Sequence, residues 1–478
     1  MTAGEKDRSR KVFSEIKEMK KVANQKMCNC QNPKGSDEPL QKKILLIQPT
    51  PYDQYGNLVK KSRLYFVGLA LPLLAALTLE DFTVELCYET IEEVPFDTDA
   101  GLIGISSMGH AVMRTIDIAK RFREMGRTVI LGGYMVSLMP EEAQKYCDAV
   151  MIGDAEETWG EMLTDYLNGS LKKVYRKKLT KLETPLPKYE LVLKKRIGNF
   201  LPVQAGRGCP KTCSFCSIYC LYHGQYLKRS IPDVIRDIRR VKELGFRQFL
   251  LLDDNLFSDR DYAFRLCAEI KKLKMKWMTQ CSIDISRDEE LLKTVAESGC
   301  YVLSFGLESI SRESLLGMQK GWAHPEQYSE QLKIIRKYGI DISTEMVVGA
   351  EGDTLESIRA TAKFIEDNQI TVPRFYILTP IPGTQYYEEM KAQDRIYNTD
   401  MYSYNSCEAV HYPKNMTPQE LTKAYWELYN EVYSYRCILK RTIFTRNFWR
   451  RPLTALFYFG VNLFYRKHIR HGIVPNIV

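Results

Sequence analysis

From about residue 42 the chain alternates short, continuous apolar runs with longer stretches in which apolar positions recur every three or four residues. The first pattern suits strands buried on both faces, the second suits helices lying on a sheet. In the first half, strands are expected at 44–48, 83–87, 102–106, 129–131 and 149–152, with helices through 64–79, 112–125, 140–146 and 156–167. A second series predicts strands at 200–205, 248–252, 277–281, 301–305, 342–348 and 374–378, each followed by a helical pattern. These six units fall short of the eight that close a barrel. After Tyr397 the run Thr417-Pro418-Gln419-Glu420 announces a further helix, with Thr as cap, Pro in the first helical position and Glu reaching back.

The fold class is therefore α/β. A Rossmann-like domain is expected over 42–170, a partial (β/α)6 barrel over 199–395, and a helical, basic and aromatic region over 396–478. Residues 171–198 carry Pro185 and Pro187 without a consistent period and read as a linker. Residues 1–41 read as a polar extension with a helical run over 10–26. In both sheet domains, ligands belong at the carboxyl ends of the strands.

Composition narrows the function classes. With 478 residues, 45% hydrophobic and 27% charged, neither disorder nor a disulfide-stapled scaffold describes the whole chain. The net charge of +9 is local: from Arg436 onward there are nine Lys or Arg and no acid, and 171–196 holds ten against two. Such localisation argues against a nucleic-acid-coating protein and points to particular surfaces. The start of the chain lacks the apolar core of a secretory signal, so the 13 cysteines are read as cytoplasmic thiols. Cys87, Cys147, Cys267 and Cys300 are expected to be inert and buried, and Cys28 and Cys30 to be exposed thiols. The apolar stretch 452–465 is shorter than the about 20 residues that span a bilayer. Peripheral contact with the inner face of a membrane is left open for the basic, aromatic tail.

The chemistry concentrates after the first strand of the second series, in Gly206-Arg207-Gly208-Cys209-Pro210-Lys211-Thr212-Cys213-Ser214-Phe215-Cys216. Three cysteines in one glycine-bearing loop can wrap one cluster. A structural zinc takes four N or S ligands and a fully ligated cubane also takes four, so three protein ligands leave one iron open. Cys220 continues no such spacing and is not expected to ligate.

This C-x3-C-x2-C loop, following a strand that opens a βα series and with Phe215 before its last cysteine, resembles the radical S-adenosylmethionine (SAM) superfamily. The resemblance implies a [4Fe-4S] cluster on Cys209, Cys213 and Cys216, SAM chelating the fourth iron, and reductive cleavage of SAM to methionine and a 5'-deoxyadenosyl radical. It also implies an electron donor such as flavodoxin or ferredoxin. Later strand ends resemble the family's SAM-contacting segments: Asp253-Asp254-Asn255, Gly306-Leu307-Glu308-Ser309, Val348-Gly349 through Thr354, and Thr379 through Thr384. Phe215, Asp254, Asn255, Glu308 and Gly349 are the SAM-side residues so implied.

In the first domain, Ser106-Ser107 and Gly132-Gly133 resemble the turns that flank the nucleotide tail in cobalamin-binding domains, and Gly153-Asp154-Ala155-Glu156 resembles a Gly-Glu-Gly-Glu segment of proteins with this domain order. Ser106, Ser107, Gly132, Gly133 and Glu156 are thereby implied as cobalamin contacts. The loop after the first strand, residues 49–56, lacks the His that serves many cobalamin domains as lower cobalt ligand, while His110 reads as a capping or solvated residue. The whole resembles the cobalamin-binding class of radical SAM proteins. That implies methyl transfer to an unactivated carbon of a hydrophobic lipid, isoprenoid or tetrapyrrole-like substrate. The alternatives are a non-methylating radical reaction (cyclisation, rearrangement or carbon–carbon coupling) and a cobalamin sensor with a structural cluster.

Overall fold

The computed structural model describes residues 42–474 other than 54, 108, 446, 447 and 450, and omits the side chain of Tyr402. The helical run expected over 10–26, with Cys28 and Cys30, lies outside the described residues.

Six strands form the first sheet: β1 (Lys43–Gln48), β2 (Thr83–Tyr88), β3 (Leu102–Ser106), β4 (Thr128–Gly132), β5 (Ala149–Ile152) and β6 (Val174–Arg176). They lie in the order β2-β1-β3-β4-β5-β6, all parallel. Successive residues of β1 enter different cores: Ile44 and Leu46 pack with Trp159, whereas Leu45 and Ile47 pack with Ile118 and Phe122 of the helix Val112–Glu124. Both faces are covered, which is why the strands read as unbroken apolar runs.

The second sheet consists of β7 (Leu201–Gln204), β10 (Gln248–Leu252), β11 (Lys276–Cys281), β12 (Cys300–Glu308), β13 (Asp341–Val348) and β14 (Val372–Ile377), paired in chain order and all parallel. A two-residue antiparallel pair, β8 (Gly206–Arg207) and β9 (Leu227–Lys228), brackets the cysteine loop. Six strands in sequential order make an open barrel with two raw edges, and an unpaired edge is a liability. Side-chain donors, mostly tyrosine hydroxyls, cover these edges. Along β14, Tyr425 and Tyr433 donate to the carbonyls of Phe375 and Pro373, and the Tyr429 hydroxyl both accepts from Phe375 N and donates to its carbonyl. The four-residue spacing of these tyrosines puts them on one face of the helix Pro418–Val432 and its C-terminal cap Tyr433, and the Thr417–Glu420 capping box at its start forms as expected. Along β7, Tyr189 donates to Pro202 O and Arg229 to Gln204 O.

The structure differs from the sequence reading in three places. The stretch read as a linker contributes edge strand β6 and the helix Tyr189–Leu193, with Tyr189 fully buried. Only Tyr175 of β6 turns inward, so three residues carry no readable period. The helix expected over 64–79 is confined to Ala70–Leu77, because Leu64 instead bridges to Ile197. The tail is less superficial than its charge suggests. Arg441 is buried against the carbonyls of Ile370 and Val432 and Asn462 Oδ1, Arg451 pairs with Asp341, and Lys440 pairs with Glu366.

Candidate active site

The cysteine loop is held at several backbone points. Gly208 N donates to Asp254 Oδ2 (2.7 Å), Ser214 N to Met318 O (3.1 Å), and Tyr386 N to Ser214 O (3.0 Å). Gly208 has φ +86°, and a Cβ there would lie 2.0 Å from Gln225 O, so the turn admits no side chain. Cys213 is buried and Cys209 and Cys216 are half-buried. Burial pushes the Cys216 thiol up to about 11, and pushes Cys213 up with the Lys320 charge pulling the other way. A bound metal would reverse this, since coordination deprotonates a thiol outright. Among the described residues no three His, Cys, Asp or Glu side chains gather around one ion position. Thiolates that ligate separate irons of a cubane need not do so. Three soft thiol donors on one pinned loop fit such a cluster.

The strand ends surround this loop. At the end of β10, Asn255 Nδ2 stands 3.6 Å from Cys209 Sγ while its Oδ1 accepts from Ser282 N, and Asp253 accepts from Tyr226 OH and Asn255 N. Glu308, at φ +62° where the pairing of β12 and β13 shifts register, forms a buried ion pair with Lys320 (2.8 Å). Lys320 also donates to Gly306 O (2.7 Å) and lies 5.0 Å from the Trp322 ring centroid, with Lys211 4.0 Å from the same ring. Sequence reasoning missed Lys320: only the fold carries it back beneath Cys213, and the signal in the chain was a single Lys beside a Gly-Trp pair. After β13, Gly349 has φ +92°. Asp353 accepts from Gly349 N, Ala350 N and the hydroxyls of Ser314 and Ser309, so this carboxylate braces the turn. Phe215 packs its ring against the main core.

In the first domain the two small-residue turns meet. Ser107 N donates to Gly132 O, and a Cβ on Gly133 (φ +101°) would fall 2.5 Å from Ser107 O. Ser137 Oγ donates to Gly133 O and accepts from Gly153 N, tying in the end of β5. Ser107 is buried, whereas Ser106 and Gly132 stay half-buried at the strand ends. This low, side-chain-poor ridge of backbone fits a ligand chain laid against it. His110 sits in the short turn Gly109–Ala111, where burial and then Lys61 lower its pKa to about 4, so it is neutral. Glu156 faces Arg207 of the second domain, as does Asp154.

Comparisons with known proteins follow the same partition. The Radical SAM superfamily model matches residues 203–365 and the B12 binding domain model matches 75–163. Bacteriochlorophyllide d C-8(2)-methyltransferase from Chlorobaculum tepidum is 31% identical over 396 residues, covering 79% of this chain and 87% of the relative. The C-12(1)-methyltransferase of the same organism is 29% identical over 418 residues, covering 85% and 91%. The radical SAM methyltransferase TsrM from Kitasatospora setae, solved with cobalamin and a [4Fe-4S] cluster bound, superimposes with a TM-score of 0.58 at 20% identity, covering 74% of this chain and 78% of that one. At that identity the likeness is one of fold.

Proposed function

Since the chain belongs to the cobalamin-binding radical SAM family, we propose that it transfers a methyl group to an unactivated carbon of a hydrophobic, tetrapyrrole-like small molecule. The observation that carries this reading is the meeting of two sites. The end of β5, beside the glycine turns, touches Arg207, two residues before Cys209. When bound, SAM on the cluster supplies a carbon-centred radical and cobalamin supplies the methyl group.

The chain's own residues do the holding. Cys209, Cys213 and Cys216 would hold the cluster, with Asn255 orienting Cys209. Lys320, its position fixed by Glu308, brings a positive charge near Cys213 that would balance thiolates holding the cluster. Asp254, Phe215 and Gly349 shape the SAM side. Ser106, Ser107, Gly132 and Gly133 offer backbone to cobalamin.

The tetrapyrrole-like substrate class is supported by the two bacteriochlorophyllide methyltransferases, and those relatives disfavour the non-methylating and sensor alternatives. An electron donor of the flavodoxin or ferredoxin type and a cytoplasmic site of action complete the reading. Contact with an anionic membrane surface is supported by the helix Pro452–Arg470. It turns Asn462, Tyr465 and Ile469 inward and leaves Leu453, Leu456, Phe457 and Phe464 exposed beside Lys467. No described helix is long and apolar enough to cross a membrane.

Anaerobic reconstitution with iron, sulfide, SAM and a strong reductant tests the core of this reading. Wild type forms 5'-deoxyadenosine and methionine, and Cys213→Ala forms neither; failure of wild type to form them overturns the enzyme assignment. With methyl-labelled SAM and a bacteriochlorophyllide acceptor, a labelled product supports methyl transfer, and an altered product without label refutes it. Sedimentation with anionic vesicles, compared between wild type and a triple Ser variant of Leu453, Phe457 and Phe464, checks the surface contact. Equal sedimentation of the two proteins would sink it.

A further inference from the structure

Arg207 opens the cysteine loop on β8, yet its side chain leaves the barrel. Its Nη1 donates to Asp154 Oδ1 (2.5 Å) and its Nη2 stands 2.7 Å from Glu156 Oε1 as an ion pair without hydrogen-bond alignment, both carboxylates belonging to the turn that ends β5. The same guanidinium is steadied from behind: Nε and Nη2 donate to Gln204 Oε1 at 3.0 and 2.8 Å. On the far side of the loop, Tyr222 at the end of the helix Ser217–Tyr222 donates to Asp154 Oδ1 (2.9 Å). The β5 turn is thus gripped from before the first cysteine and from beyond the last. The three charged side chains are only 13, 16 and 5% exposed.

We propose that Arg207, Asp154 and Glu156 form a strut that sets the orientation of the cobalamin-binding domain relative to the cluster loop, and so the placement of cobalt relative to SAM. The proposal rests on the cofactor reading above and makes Glu156 a positioning residue whose carboxylate is engaged by Arg207. The choice of residue types follows from what must be fixed. An apolar contact between two domains slides at little cost. A planar guanidinium donating to the Asp154 carboxylate and the Gln204 amide oxygen fixes both distance and angle, and the charge of Glu156 beside it strengthens the hold away from water. The same turn is tied through Gly153 N and Ser137 to the Gly133 carbonyl, so an orientation imposed at Arg207 reaches the backbone ridge where cobalamin is placed.

The test uses the holoenzyme and reads geometry as well as turnover. Cobalt(II) cobalamin and the singly reduced cluster are both paramagnetic, and their dipolar coupling in electron paramagnetic resonance reports the spread of distances between them. Wild type should give one narrow coupling. Glu156→Gln, nearly isosteric, and Arg207→Met should broaden it into an unresolved line with iron and corrinoid content unchanged, while Arg207→Lys, which keeps charge without the fork, should recover it only in part. Should Arg207→Met fail to fold, Glu156→Gln alone decides. Coupling identical to wild type in the variants, even with lowered thermal stability, overturns the strut and leaves an ordinary stabilising ion pair. Absence of corrinoid or cluster from wild type overturns the cofactor reading itself, a separate result visible before any variant is made.

Discussion

Asp253 stands 5% exposed at the end of β10, its oxygens accepting from Tyr226 OH and Asn255 N at 2.8 Å each. Burial raises its pKa from 3.8 to about 7, with the two hydrogen bonds pulling down and neighbouring Asp254 pushing up. The unfolded carboxyl therefore ionises first as pH rises. Between these two values the unfolded state binds fewer protons than the folded one, so stability falls with rising pH and the loss is complete above about 7. A displacement of roughly three units at about 1.36 kcal/mol each amounts to about 4 kcal/mol, of which about 3 kcal/mol is lost between pH 5 and 8. Asp253→Asn keeps the shape and the acceptor for Asn255 N but cannot ionise. The gain in stability of the Asn variant over wild type should grow by about 3 kcal/mol from pH 5 to pH 8. Urea unfolding followed by tryptophan fluorescence reads this directly, since Trp277 is fully buried and stacked on Phe249 in the same barrel. A difference between variant and wild type that is the same at both pH values would refute the assignment of a proton to buried Asp253.

Further substitutions separate the sites. Gly208→Ala forces a Cβ to within 2.0 Å of Gln225 O at φ +86°, so iron content should fall several-fold while far-ultraviolet circular dichroism is retained. Gly133→Ala drives a Cβ against Ser107 O at 2.5 Å, and should lower retained corrinoid without lowering iron, measured by absorbance and metal analysis. Arg229 and Asp237 form an ion pair with both side chains 1% exposed. Arg229→Met leaves the carboxylate with half-exposed Arg236 as its remaining cation and should cost about 2 kcal/mol in denaturant unfolding, with much of the loss recovered when Asp237→Leu is added.

Where a strand is buried on both faces, its apolar run declares it, and β3 and β5 stand where the apolar pattern places them. Where only one residue in three turns inward, as in β6, periodicity has nothing to count. The Thr417 capping box was readable because both of its partners lie within one helical turn. The tyrosines at 425, 429 and 433 read as helix-face aromatics, and only pairing them with the exposed edge of β14 shows that their hydroxyls finish an open sheet.

The candidate site divides the same way. Three cysteines within eight residues, and glycine turns at strand ends, are local features, and the sequence by itself determined where both the candidate cluster loop and the small-residue turns of the first domain stand. Lys320 beneath Cys213, and Arg207 between Asp154 and Glu156, join residues far apart in the chain or in different domains. The +9 charge of the tail likewise pointed to a surface, yet Arg441 is buried on backbone carbonyls, and Arg451 and Lys440 are paired with Asp341 and Glu366 at the protein's edge. The tertiary structure alone decided these partners, because a charge seeks whatever opposite group or carbonyl the folded backbone brings within a few ångströms, and sequence separation carries no record of that distance.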